Sequence, residues 1–283
     1  MAGRWMRLAR LAAGVLIVST AVSTSSVGRA GAQATTTGPG SPDTTARVPA
    51  AARYRLGVDY SHVHFDTLLS PWDLVTTSLS RKTTPLALIG SVNYAHRFRR
   101  SGWQFEGEAY PHLSSKAYAY LDAAWSQSAS FPRWRGGAEL YGNLPAAWEL
   151  SAGWRQLHFT DTEVRIFTGS VGKYAGNYYA TLRPYVSRSE GKTSRSAYLT
   201  VRRYGATADD FAGVQVGYGS TPTTVSTLAE VLRGNTFHAS AEVQRTVGPG
   251  VGIKWGAEFE HENLPAGGTR NRTGFTLGLR RDL

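Results

Sequence analysis

Between Phe131 and Tyr204 apolar and polar residues alternate with period two, in five segments of about ten residues that each end in a turn signal. Trp134, Ala138 and Leu140 alternate with Arg133, Arg135, Glu139 and Tyr141. Trp148, Leu150, Ala152 and Trp154 alternate with Glu149, Ser151, Gly153 and Arg155. The apolar faces begin and end in aromatic residues, the arrangement expected where a face meets lipid and the rings sit at the two headgroup levels. The charged faces would then line an interior. The same alternation predicts strands over Arg53–Phe65, Leu74–Arg81, Leu86–Phe98, Trp103–His112 and Ala117–Ser126 before this stretch, and over Phe211–Gly219, Thr236–Arg245, Val251–Glu260 and Thr273–Leu283 after it.

Fourteen strands result, and the fold class is all-β, an antiparallel up-and-down transmembrane β-barrel. An even number returns both termini to one side, as in single-chain bacterial barrels. Connections on the terminal side, such as KTTP, LSSK, GNLP and TVGPG, are short. Those on the other side, such as SQSASFP, SRSEGKTS, Gly219–Asn235 and Asn263–Asn271, are mostly longer. Arg99–Gly102 and Thr160–Glu163 break this asymmetry and leave a count of twelve open.

The first 34 residues fit an export signal. Arginines precede an apolar run, Leu11–Val22, that is shorter than the roughly twenty residues of a spanning helix. Ala32-Gln33-Ala34 supplies a small-x-small site, so cleavage is expected near Ala34. Residues 35–52 are rich in Thr, Pro, Gly and Ala without periodicity and read as a flexible periplasmic lead-in. The barrel would occupy 53–283, in the outer membrane.

Composition narrows the function. The chain has no Cys, which excludes disulfides, redox dithiols and thiolate metal sites. Its net charge of +11 suggests nucleic acid until it is divided by region: four of the 31 basic residues lie in the first 34 residues, which hold no acid, leaving 27 against 20 spread over the strands. The concentrated basic stripe needed for nucleic-acid binding is not there.

The central stretch resembles the YaiO-type outer-membrane β-barrel proteins. The resemblance is carried by Pro132-Arg133-Trp134-Arg135-Gly136-Gly137-Ala138-Glu139-Leu140-Tyr141, Trp148-Glu149 with Ala152-Gly153-Trp154-Arg155, Gly169-Ser170 with Gly172-Lys173-Tyr174, Gly176-Asn177-Tyr178 and Leu182-Arg183-Pro184-Tyr185. Arg202-Arg203-Tyr204, Asp209-Asp210 and Gly217-Tyr218-Gly219 extend it. It implies an outer-membrane barrel surrounded by lipid and inserted by the barrel-assembly machinery, and it leaves the biochemical role open. Barrel chains usually end in an aromatic residue; here Phe275, Leu277 and Leu279 fit, whereas Arg281 and Leu283 depart.

The expected lumen lining includes Arg133, Arg165 and Lys173. Its candidates for binding a polar solute or a surface polysaccharide are Arg135, Glu139, Arg155, Arg183, Arg202 and Tyr185. Guanidinium groups and flat rings suit such a ligand, while the same charges would also serve to cross-link the wall. A sealed structural barrel and a lipid-modifying enzyme are the alternatives. His238-Ala239-Ser240-Ala241-Glu242 places a base, a hydroxyl and an acid on one strand face, but residues two apart lie roughly 7 Å apart along a strand. His62 and His64 share a face without a third ligand nearby. Gly169–Lys173 superficially resembles a phosphate loop but leads into no helix. No catalytic residue, metal ligand or cofactor is assigned, and the barrel is expected to be monomeric.

Overall fold

The computed structural model describes residues 54–67, 69–83, 85–97, 99–220, 234–264 and 267–283. The expected signal segment, its cleavage site and the lead-in lie outside the described residues, as does most of Gly219–Asn235. Fourteen antiparallel strands close on themselves: β1 Tyr54–Phe65, β2 Trp72–Lys82, β3 Leu86–Arg97, β4 Arg100–Ser114, β5 Ala117–Trp125, β6 Trp134–Leu144, β7 Trp148–His158, β8 Glu163–Ala175, β9 Tyr178–Ser189, β10 Lys192–Tyr204, β11 Phe211–Gly219, β12 Thr236–Gly248, β13 Val251–Asn263 and β14 Thr269–Asp282. Each strand pairs with its sequence neighbours, and β1 joins β14 from Arg55↔Asp282 to Phe65↔Arg272. The count of twelve is thereby excluded. Closure leaves no open sheet edge, the condition for strands in lipid.

The phase of the alternation decides what faces out. Ala138, Trp154 and Phe167 stand side by side across β6, β7 and β8, while Gly137, Arg155 and Ile166 form the adjacent row on the other face. The first row is the outside: Trp103, Trp125, Trp154, Phe167, Leu182 and Leu279 are all exposed, Trp103 by 56%. Large apolar surface is left uncovered by protein all round the barrel, as a lipid-facing belt requires. Aromatic pairs mark one edge of this belt. Tyr94 and Trp103 have ring centroids 4.7 Å apart, Phe105 stacks on Trp125, and Trp134 stacks on His158.

Connections at the end carrying both termini are mostly two or three residues long, including a 3₁₀ turn at Pro145–Ala147. The exception is 205–210 between β10 and β11. At the opposite end, SRSEGKTS is taken up by the strands: β9 and β10 pair up to Ser189↔Lys192 around a two-residue turn. Glu190 (φ 50°) and Gly191 (φ 75°) both sit in the left-handed region that such hairpins need, and glycine reaches it without strain.

Two layers of side chains cover the inner wall. Where a strand bears glycine, a long side chain from the next strand lies flat over the bare patch: a Cβ at Gly217 would lie 2.2 Å from the Tyr198 ring. Apolar residues also point inward at the end opposite the termini, an arrangement absent from the sequence reading. Leu157, Phe159, Val164, Ile166, Tyr185 and Tyr198 form one buried cluster, and Val63, Phe65 and Trp72 another. Phe131, from the connection between β5 and β6, is buried beside them, and the Arg97 guanidinium lies over both the Trp72 and Phe131 rings.

Candidate functional site

The polar lumen takes inward side chains from strands all round the barrel, Thr76 of β2, Asn93 of β3 and Gln215 of β11 among them. Inward positions of β6 supply Arg135, Gly137, Glu139 and Tyr141; β7 supplies Glu149 and Arg155; β9 supplies Arg183 and Tyr185; β10 supplies Tyr198 and Arg202. All six residues expected to contact a solute face this space. Arg183 spans from β9 to β6, donating from Nη1 to Glu139 Oε1 at 2.5 Å and from Nη2 to the Tyr141 hydroxyl at 3.1 Å. Arg135 pairs with Glu106 and stands 3.4 Å from Asp122. Arg202 donates to Glu242 Oε1 at 2.6 Å. Glu149 accepts from the Tyr118 and Tyr179 hydroxyls at 3.1 and 2.8 Å, and Tyr118 stacks on Tyr141 with centroids 4.6 Å apart. Arg155 and Tyr185 face the same region without joining these ion pairs.

Three of the expected lining residues lie elsewhere. Arg165 and Lys173 share the outward phase of Phe167 and Val171 on β8, at the two ends of that lipid-facing stripe. Long cationic side chains at such positions reach the headgroup level, and Lys173 Nζ sits 4.8 Å above the Trp148 ring while donating to the Ala146 carbonyl. Arg133 precedes β6 and is exposed, its backbone N–H donating to the His158 carbonyl at 2.8 Å. A charge at a strand end signals the membrane interface as readily as the lumen, and only the phase of the apolar neighbours separates the two.

The ion pairs are asymmetric. Through the middle of the barrel and toward the apolar clusters, the acid is packed against the wall and the guanidinium covers it. Arg183 is 14% accessible over Glu139 at 2%, and Arg272, bound to Glu258 and Glu260, is 14% over 3% and 5%. Near the termini the order reverses, with Asp59 at 32% paired to Lys254 at 20%. The lumen therefore presents cations along much of its length and acids at the terminal end.

That terminal end is crossed by the 205–210 connection. Asp209 accepts a two-pronged hydrogen bond from Arg55 of β1, 3.0 Å from Nη1 and 2.9 Å from Nη2. Its backbone carbonyl accepts from Gln244 at 2.8 Å and from Arg280 at 3.2 Å. Asp210 accepts from the Thr246 N–H at 2.6 Å and from Thr207 Oγ1 at 2.9 Å. Burial alone would raise the Asp209 carboxyl, but the hydrogen bonds and charge of Arg55, with Arg280 and Lys82 nearby, outweigh it and hold the group below the usual carboxylate range.

His238 and Ser240 do meet: His238 Nε2 and Ser240 Oγ are 3.1 Å apart, and Nδ1 lies 3.1 Å from Glu260 Oε1. The acid is Glu260 of β13, across the strand pair, whereas Glu242 turns to Arg202. Glu260 is also bound by Arg272 at 2.9 Å, so the place a cation would take between His238, Glu258 and Glu260 is held by a guanidinium. On the outer face, His62 pairs with Asp73 at 2.9 Å and lies beside Phe275, ring centroids 5.5 Å apart and tilted by 40°. Asp122, Arg270, Arg272 and Glu260 were not singled out from sequence; each follows the inward phase of its strand, which was the available signal.

Among solved structures, a CymD monoaromatic hydrocarbon channel superposes with a TM-score of 0.53 at 8% identity, covering 82% of this chain and 89% of the channel. A bacterial polysaccharide outer membrane secretin superposes at 0.55 with 5% identity, covering 83% and 99%. At such identities the likeness concerns the fold alone. No curated protein matches the sequence. The family model described as the YaiO membrane beta barrel domain matches residues 53–224. With that match over more than half its length, and with a closed fourteen-strand barrel like those of outer-membrane channels, this chain belongs to the YaiO membrane beta barrel family.

Proposed function

We propose that the barrel admits and handles a polar solute or a surface polysaccharide within its cation-presenting lumen. The observation that carries this reading is the layered wall: acids and phenols lie against the strands and guanidinium groups lie over them, facing the lumen. Packing alone would be served as well with either partner uppermost; having the guanidinium uppermost through the middle of the barrel, as at Arg183 and Arg272, creates there a surface suited to hydroxyl and anionic groups. Planar-bilayer recording with the refolded protein tests it, and the expected result is a conductance that shifts when a hydrophilic oligosaccharide is added. A silent membrane, unresponsive to solutes, overturns it.

A second reading, a sealed barrel that displays its outer connections, is favoured by the inward apolar clusters at one end and the Asp209 crossing at the other. The same recording separates the two. The Ser240, His238 and Glu260 line is assigned here to bracing between β12 and β13, because Arg272 already engages Glu260; covalent labelling of Ser240 by a fluorophosphonate would overturn that assignment.

A further inference from the structure

Arg155 stands apart from the other cations of the lumen. Arg135, Arg183, Arg202, Arg272 and Lys254 each have a carboxylate partner. Arg155 makes no hydrogen bond or ion pair among the described residues, and its guanidinium lies 5.7 Å from the centroid of the Tyr120 ring. The position is a built one. Gly137, opposite Arg155 in the register, has no side chain, and a Cβ there would lie 2.7 Å from Arg155 Cγ and 2.6 Å from Asp122 Oδ1. The bare glycine is the bed along which the arginine extends from β7 toward Tyr120 on β5.

The neighbouring acids are committed elsewhere, Asp122 toward Arg135 through Oδ2 and Glu139 to Arg183. Asp122 Oδ1 is buried without a hydrogen-bond donor, and the Tyr120 and Tyr185 hydroxyls make no hydrogen bond among the described residues. Leu157 and Ile166 pack just beyond, in the cluster that includes Tyr185. Leaving a guanidinium unpaired in such surroundings is costly unless a ligand completes it, and the apolar collar strengthens whatever charge interaction forms there.

We propose that Arg155 is the recognition point for the carboxylate of an acidic sugar residue. The guanidinium binds the carboxylate, Asp122 Oδ1 accepts from a ring hydroxyl, and the Tyr120 face and Tyr185 hydroxyl bound the sugar. This deepens the solute-handling reading and rests on it for access to the lumen.

The test is calorimetric titration of the refolded, detergent-held protein with a glucuronate hexamer and with the glucose hexamer of the same linkage. These probes differ only at the carboxylate. The acidic hexamer is expected to bind, the neutral one to bind at least about tenfold more weakly, and Arg155→Ala to erase that preference, the loss of one charge-assisted contact being worth about tenfold or more. Arg155→Lys keeps the charge and is expected to retain part of the preference. Gly137→Ala displaces the arginine and is expected to mimic Arg155→Ala. Arg165→Ala, on the lipid face, serves as the control for losing a cation elsewhere, with folding of every variant followed by heat-modifiable migration. Equal binding of the two hexamers, or an unchanged preference in Arg155→Ala, overturns the inference. Because the titration needs no current, acidic-sugar binding in a non-conducting barrel would sink passage and leave the site. Conductance with no acid preference would do the reverse.

Discussion

Glu149 shows how a single side chain decides its neighbourhood. Its carboxylate accepts from two phenols, Tyr118 and Tyr179, on strands to either side of its own. Glu149→Leu removes the shared acceptor in a buried place and is expected to lower stability by about 2 kcal/mol or more in guanidinium unfolding followed by tryptophan fluorescence. Lys173→Ala, which removes an exposed cation from the Trp148 ring, should cost only about 0.5–1 kcal/mol in the same measurement. This scale was half legible. That Glu149 and Arg155 point inward follows from Trp148, Leu150 and Trp154 between and around them. The two phenols that Glu149 binds come from β5 and β9, and no local pattern reports that. Arg165 and Lys173 were misplaced because a charge at a strand end carries two meanings, and Glu260 was missed as partner of His238 because Glu242 lay nearer in sequence.

At the scale of elements, the hairpins are where sequence and structure agree most closely. Phe211–Gly219 begins and ends where its alternation does, β5 stops one residue short of expectation, and the expected ends of β1 and β3 at Arg53 and Phe98 lie outside the described residues. The turn between β9 and β10 differs more, because SRSEGKTS reads as a polar loop while Glu190-Gly191 in left-handed geometry lets the ladder run to its tip. Gly191→Ala forces a Cβ into that geometry and is expected to cost about 1 kcal/mol. The unfolding midpoint checks it, and an unchanged midpoint would mean that the turn relaxes without penalty. Inward apolar residues such as Val164 and Ile166 escaped notice because the two faces of β8 are both partly apolar near its start, so alternation alone cannot tell a collar inside the lumen from the lipid belt.

For the whole molecule, the two ends of the lumen differ in chemistry. One end carries apolar clusters, which respond little to pH. The other carries Asp209, facing Arg55, Arg280, Lys82 and, through Arg55, Asp282, with Asp210 beside it. Because the Asp209 carboxyl is held below its ordinary value, its part of the crossing is intact at neutral pH and is lost only as the pH falls below the usual carboxylate range. Asp209→Asn should loosen it at neutral pH. The expected outcome is faster cleavage of the 205–210 connection by an added protease at pH 7 in the variant than in the parent, with the parent approaching the variant's susceptibility in acid when pepsin is used. Equal rates at both pH values would show that the remaining contacts, from Gln244 and Thr246, hold the segment alone.

The Asp209 contact also bears on assembly. Arg55 belongs to the first strand and Arg280 to the last, and they lie close enough to hold one carboxylate only after those strands have zipped together. A segment from between β10 and β11 thus fastens over the join like a clasp, and its docking would register that the cylinder has been completed.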